Sequence, residues 1–236
     1  MANPLDQIVE KLRKALDVNL VSIVLYGSAA TGDRDELFSD YNILCILTMI
    51  TPVELRAAEP VFRWWREQGN PAPLLLTSHE VETSTDCFPI EFQDIREHHR
   101  ILYGPNLVES LEIDRSFYRA QVECQLRTKL LRLRQKGGGL LSDKDALRGL
   151  LLDSLSTFCV LFRHALLLSG APAPAKKREI VEAAGSRFGI ETEPLLQLLG
   201  QREGTIKPKE IEPEPLFSRY IIQIEKVIDA VDVLAK

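Results

Sequence analysis

Gly27-Ser28 and the run Ser39-Asp40-Tyr41-Asn42 are the residues of this chain whose types and spacing could do chemistry. Gly27 has no side chain, so a ligand can approach its backbone closely. Ser28 and its neighbours, at the start of a short helical turn, can offer backbone N–H groups and a hydroxyl to phosphates. Residues 40 and 42 open a strand in which side chains alternate, so the two share a face. Two oxygen ligands, the Asp40 carboxylate and the Asn42 amide, would then project toward the place where the Gly-Ser loop holds a triphosphate. The Asn42 amide oxygen can ligate a metal, but it carries no charge and bridges two cations poorly.

The elements that must position these residues can be read from hydrophobic period and punctuation. Residues 4–17 form an amphipathic helix, with Asn3 as cap, Pro4 in the first turn, and Leu5, Ile8, Val9, Leu12 and Leu16 on one face. Two short buried strands follow at 20–26 and 41–48, separated by small and polar residues. Thr51-Pro52-Val53-Glu54 announces a helix that runs to about Gln68, by N-cap, first-turn proline and capping box. Further strands are expected at 73–77 and 88–93, with a short one at 101–103. On the 88–93 strand, alternation sets Glu91 opposite Ile90, Phe92 and Asp94, facing either the cleft or solvent; Asp94 reads as a helix cap. This alternation of strand and helix means an α/β (α+β) domain with a small mixed sheet.

After Gly104-Pro105 the period becomes helical. Helices are expected at 115–136, 142–169, 176–187, 193–201 and 216–235, with Gly137-Gly138-Gly139 as a flexible break after the first. We therefore expect residues 1–108 as the α/β domain and 109–236 as an all-α helical bundle built round the apolar 150–168 segment. Lys129, Arg132 and Lys136 share one face of the 115–136 helix, which is either a solvated face or a surface for phosphate, RNA or an acidic substrate. Of the adjacent Trp64 and Trp65, one should pack inward and the other mark an interface or apolar patch.

Bulk properties exclude several classes. A net charge of −5 gives no global attraction to nucleic acid. The longest apolar runs, such as 158–162 and 165–168, are too short to cross a bilayer, and the N-terminus does not read as a signal peptide. The four cysteines lie far apart with no metal-type spacing, which points to buried thiols in a reducing cytoplasmic compartment. His98 and His99 are adjacent and so aim apart, which argues against a histidine metal site.

The stretch LYGSAATGDRDELFSDYNILCIL, residues 25–47, resembles the signature of the DNA polymerase beta-type nucleotidyltransferase superfamily, and in particular its small bacterial branch of aminoglycoside and minimal nucleotidyltransferases. That pattern is Gly-Ser, roughly ten residues, then Asp-x-Asp at the start of a strand; here eleven residues separate Ser28 from Asp40. FPIEFQDIREHHRILYG, residues 88–104, also resembles bacterial members, so the likeness covers about 20–104. The resemblance implies transfer of a nucleoside monophosphate from an NTP to a hydroxyl, assisted by Mg²⁺ or Mn²⁺ held by three acids. It implies Asp40, Asn42 and Glu91 as metal ligands, with Asp40 and Glu91 catalytic, Glu91 as second ligand or general base. Gly27, Ser28, Ser39, Arg34 and Lys129 would bind the nucleotide. The acceptor could be a small molecule, a protein side chain or an RNA end, and a homodimer through the 204–215 loop and last helix is compatible with the pattern. Two departures stand out: Asn42 replaces the second acid, and strand 73–77 carries no third one. These favour an alternative, a nucleotide-binding or protein-interaction module that kept the fold and lost the chemistry. The Arg-and-His spacing of HEPN ribonucleases is not found around Arg163-His164.

Overall fold

The computed structural model describes residues 3–31 and 41–234, which divide into two compact units, Met1–Arg115 and Ser116–Lys236. In the first unit, α1 (Pro4–Leu16) is capped by Asn3, whose side chain accepts from the Leu5 N–H, and it buries Leu5, Ile8, Leu12 and Leu16. It leads into β1 (Leu20–Tyr26), the one-turn α2 (Ser28–Thr31), β2 (Asn42–Leu47), α3 (Pro52–Glu67) and β3 (Leu74–Thr77). Then come α4 (Ser78–Thr83), α5 (Pro89–Glu97) and β4 (His99–Tyr103). The strands form one mixed sheet in the order β3-β2-β1-β4, with β1 antiparallel to both β2 and β4, and β3 parallel to β2.

Alternation along the two central strands sorts the core into two layers. Ile23, Leu25, Ile43, Cys45 and Leu47 pack on one face with α1 and with Ala58, Val61 and Trp65 of α3. Val24, Leu44 and Ile46 pack on the other with Val81 of α4, Phe92 and Ile95 of α5, and Val108 and Leu111. Trp65 is fully buried, while Trp64 is part-buried with the Lys11 ammonium 4.8 Å from its ring centre. At the far side of β1, the Ser22 hydroxyl bridges the carbonyls of Tyr103 (3.0 Å) and Pro105 (2.9 Å), which fixes where β4 leaves the sheet.

Several local expectations are corrected. Residues 88–93 are not a strand, because Pro89 starts the helix α5 and Ile90, Phe92, Gln93 and Ile95 are its buried positions. The alternation of Phe88, Ile90 and Phe92 imitates a strand, yet Phe88 is 52% exposed and the apolar face is completed only by Ile95. Asp94 accordingly lies inside α5 rather than capping a helix. The strand at the edge beside β1 is β4, longer than the expected 101–103. A helix that the hydrophobic period does not announce, α4, follows β3 directly; Thr77 and Glu80 form its capping box. The glycine run ends its helix as expected but two residues later, since α6 (Tyr118–Gly138) continues through Gly137, which is buried against the Phe217 ring, and caps at Gly139.

The second unit is a helical bundle of α6, α7 (Lys144–Leu168), α8 (Lys177–Phe188), α9 (Glu193–Arg202) and α10 (Pro213–Asp232). Helix α7 is its centre, packed against the other four and burying Leu147, Leu151, Leu155, Phe158, Phe162 and Leu166 among others. By length and composition α7 could cross a membrane, contrary to the estimate from uninterrupted runs; its most apolar window has mean hydropathy 1.5. That window is 56% buried inside the bundle, as the core helix of a folded domain is.

Candidate functional site

The site is built from the ends of β1 and β2. β1 finishes at Tyr26, and Gly27 turns the chain with φ +78°, a conformation that side-chain-bearing residues rarely adopt. The Gly27 N–H donates to the His98 carbonyl at 3.2 Å, and its own carbonyl accepts from Ala30 N–H at 2.9 Å as α2 begins at Ser28. β2 starts opposite, with Asn42 in register with Tyr26. A Cβ on Gly27 would lie 3.4 Å from Asn42 Nδ2, so the amide of Asn42 stands directly beside the bend.

Tyr26 is also in register with His99 on the other neighbour, β4. Paired residues of adjacent strands share a face, so Tyr26, Asn42 and His99 line up across three strands. Tyr26 packs on the cluster formed with α4 and α5, which identifies that face. Glu91, exposed in the first turn of α5, is near enough to Tyr26 for its charge to act on the phenol. Burial first, and then the Glu91 carboxylate, raise the Tyr26 phenol above its ordinary pKa. Sequence reasoning did not find Tyr26; its signal would have been its place beside Gly27, at the same strand end.

His99 is held at both ring nitrogens. Nδ1 lies 3.1 Å from the Arg96 carbonyl, to which it must donate. Nε2 lies 3.1 Å from Asn106 Nδ2, from which it then accepts. The Asn106 orientation is set in turn by its Oδ1, which accepts from the N–H groups of Val108 (3.3 Å) and Glu109 (3.2 Å). Both ring nitrogens are thus engaged by neighbouring residues, a structural role for His99.

Other expected site residues fall elsewhere. Arg34, Ser39 and Asp40 lie outside the described residues. Lys129 is exposed on α6, in the second unit, with Arg132 and Lys136 exposed beside it. Arg119 and Arg127 of the same helix are paired with Glu123, and Arg134 with Glu225. β3 brings Leu74, Leu75, Leu76 and Thr77 alongside β2 and therefore contributes no carboxylate. Among the described residues no three His, Cys, Asp or Glu side chains are grouped so as to hold a metal. The described donors, one neutral amide oxygen and one exposed carboxylate, do not fit a two-ion centre, which needs several anionic oxygens to offset the cations.

No protein-family model and no curated protein matches this sequence. Among solved structures, the chain is similar to a spectinomycin adenyltransferase, AAD(9), from Enterococcus faecialis, crystallised with ATP and spectinomycin. The likeness covers 97% of this chain and 98% of that one, at a TM-score of 0.62 and 14% sequence identity. The chain thus has the nucleotidyltransferase fold, an α/β domain with a small mixed sheet followed by a helical part.

Proposed function

We propose that this chain binds a nucleoside triphosphate at the end of β1, with Gly27 and the α2 turn against the phosphates and Asn42 beside them. The observation that carries this reading is the Asn42 amide beside the positive-φ bend at Gly27, at the end of a nucleotidyltransferase-type sheet. An uncharged, two-armed amide can donate to phosphate oxygens through Nδ2 and accept through Oδ1. Ser28, Ser39 and Arg34 would complete the phosphate contacts. Glu91, close to Tyr26, is assigned to a hydroxyl of the ligand rather than to a metal pair. A Mg²⁺ or Mn²⁺ ion entering with the phosphates would be a single one, held by Asp40 with Asn42.

A second reading, transfer of the nucleoside monophosphate to a small-molecule hydroxyl, is favoured by one observation: the structural neighbour was crystallised with both ATP and spectinomycin. In that case Glu91 is the base that accepts the hydroxyl proton as the acceptor oxygen attacks the α-phosphorus and pyrophosphate leaves.

Thermal-shift titration with ATP, GTP, CTP and UTP, each with and without Mg²⁺, tests the binding reading. A ligand that binds only the folded state adds about 2.7 kcal/mol at a hundred times its dissociation constant, which a melting curve resolves readily. We expect stabilisation by at least one triphosphate, weakened in Asp40→Ala and Gly27→Val. Absence of any shift with all four nucleotides refutes it. Asn42→Asp separates the readings: Mg²⁺-dependent turnover that appears only in this variant supports lost chemistry, whereas wild-type turnover abolished in Asp40→Ala supports transfer.

A further inference from the structure

Asn42 occupies its place only if the first residues of β2 are held in register, and the structure supplies a holder on the opposite face. Helix α3 ends at Glu67, and Gly69 takes φ +82° with its N–H bonded to the Arg66 carbonyl at 2.9 Å. The turn brings Asn70 back over the helix end, where its N–H donates to the Trp65 carbonyl at 3.3 Å. From there Asn70 Oδ1 accepts the backbone N–H of Tyr41 at 3.1 Å. The Tyr41 ring stacks on Trp65, with centroids 5.9 Å apart and planes 29° from parallel. Trp65 itself is fully buried between α3 and the sheet.

Residue 41 faces α3, so by alternation residue 42 faces the other side, toward Tyr26 and Gly27. A slip of one residue would exchange the two faces. We infer that Asn70, Tyr41 and Trp65 form a clamp at the start of β2 and are positioning residues for the nucleotide site, because together they set the face and register of Asn42. None of the three is required to touch the ligand. The inference rests on the nucleotide-binding reading above, and it adds that the affinity of that site is set in part from the end of α3.

The test compares the wild type with Asn70→Ala, Asn70→Asp and Leu5→Ala, a core change at the start of α1 beside Ile101 and Leu102 of β4. Two quantities are read for each: hydrogen exchange of a peptide covering 41–47, and the dissociation constant for ATP. Loss of one hydrogen bond predicts about fivefold faster exchange at the start of β2 and about fivefold weaker ATP binding in Asn70→Ala. Asn70→Asp, whose carboxylate accepts the same Tyr41 N–H, should restore both. Leu5→Ala should lower the melting temperature while leaving ATP affinity unchanged. Unaltered ATP affinity in Asn70→Ala, or an equal loss in Leu5→Ala, overturns the clamp while the nucleotide reading stands. No ATP binding by the wild type overturns the nucleotide reading, and the clamp's positioning role with it.

Discussion

Gly104 should be among the least replaceable residues of the first unit. It follows β4 with φ +78°, and a Cβ there would lie 2.1 Å from the Val21 carbonyl oxygen and 3.0 Å from Ser22 Cα. Gly69 has nearly the same backbone, φ +82°, yet a Cβ there meets nothing within 4 Å. The pair therefore separates two costs that usually come mixed. The left-handed conformation costs an alanine about 1–2 kcal/mol at either position. At Gly104 the new methyl also overlaps backbone that cannot swing aside, because Ser22 is tied through its hydroxyl to Tyr103 and Pro105. Overpacking of this kind adds about 1–3 kcal/mol. Gly104→Ala should thus lose about 2–5 kcal/mol, against a total of about 5–15 kcal/mol for an ordinary domain. Urea unfolding followed by tryptophan fluorescence reads the first unit by itself, since both tryptophans, Trp64 and Trp65, lie on α3. With a slope of about 2 kcal/mol per molar urea, the excess over Gly69→Ala should appear as a midpoint lowered by about 1 M. Equal midpoints for the two variants would refute the close approach of Gly104 to β1.

Three other outcomes follow from geometry already described. Removing the charge in Glu91→Gln should lower the Tyr26 phenol pKa part of the way, since burial is the larger cause; tyrosinate absorbance, differenced against Tyr26→Phe, reads it. Because the folded value is raised, Tyr26 contributes full stability below the ordinary phenol value of about 10 and loses it as pH climbs past that. The capping carboxylates Glu54 and Glu80 behave in the opposite sense: hydrogen bonds from the Thr51 side chain and the Thr77 backbone hold them below the usual range. Their contribution is present above about pH 4.5 and is lost as pH falls through the lowered values, so melting temperatures of wild type and Glu54→Gln/Glu80→Gln should converge on acidification. In the bundle, a Cβ at Gly137 would lie 2.2 Å from Phe217 Cζ. Gly137→Ala should cost about 1–3 kcal/mol despite the better helix former, and Phe217→Leu should recover part of it in the double variant's melting curve.

Where the sequence was legible, local and tertiary signals agreed. β1 and β2 are short runs of Val, Ile and Leu bounded by polar residues, and α3 carries its N-cap, proline and capping box within four residues. The juxtaposition of Gly27 and Asn42 follows from those two strands and the alternation of side chains. Glu91 was harder, because Phe88, Ile90 and Phe92 have strand spacing over a segment too short to display a helical period; only Ile95, beyond the window, breaks the tie. Gly137 misled for a different reason. Glycine reads locally as a break, but here its missing side chain admits the ring of a residue eighty positions later in the chain. The influence of Glu91 on Tyr26 likewise depends on how α5 lies on the sheet, which relates residues that no spacing rule does.

The uncharged amide at position 42 also bears on how this end of the sheet tolerates its surroundings. A carboxylate beside the Gly27 bend would repel a polyphosphate unless a cation stood between them. The Asn42 amide, whose Nδ2 lies toward the bend, imposes no such requirement. It presents the same donors throughout the acidic and neutral range, because an amide does not titrate there. On the nucleotide-binding reading, position 42 therefore adds no demand of its own for a divalent ion, and Asp40 alone would set how far occupancy depends on one.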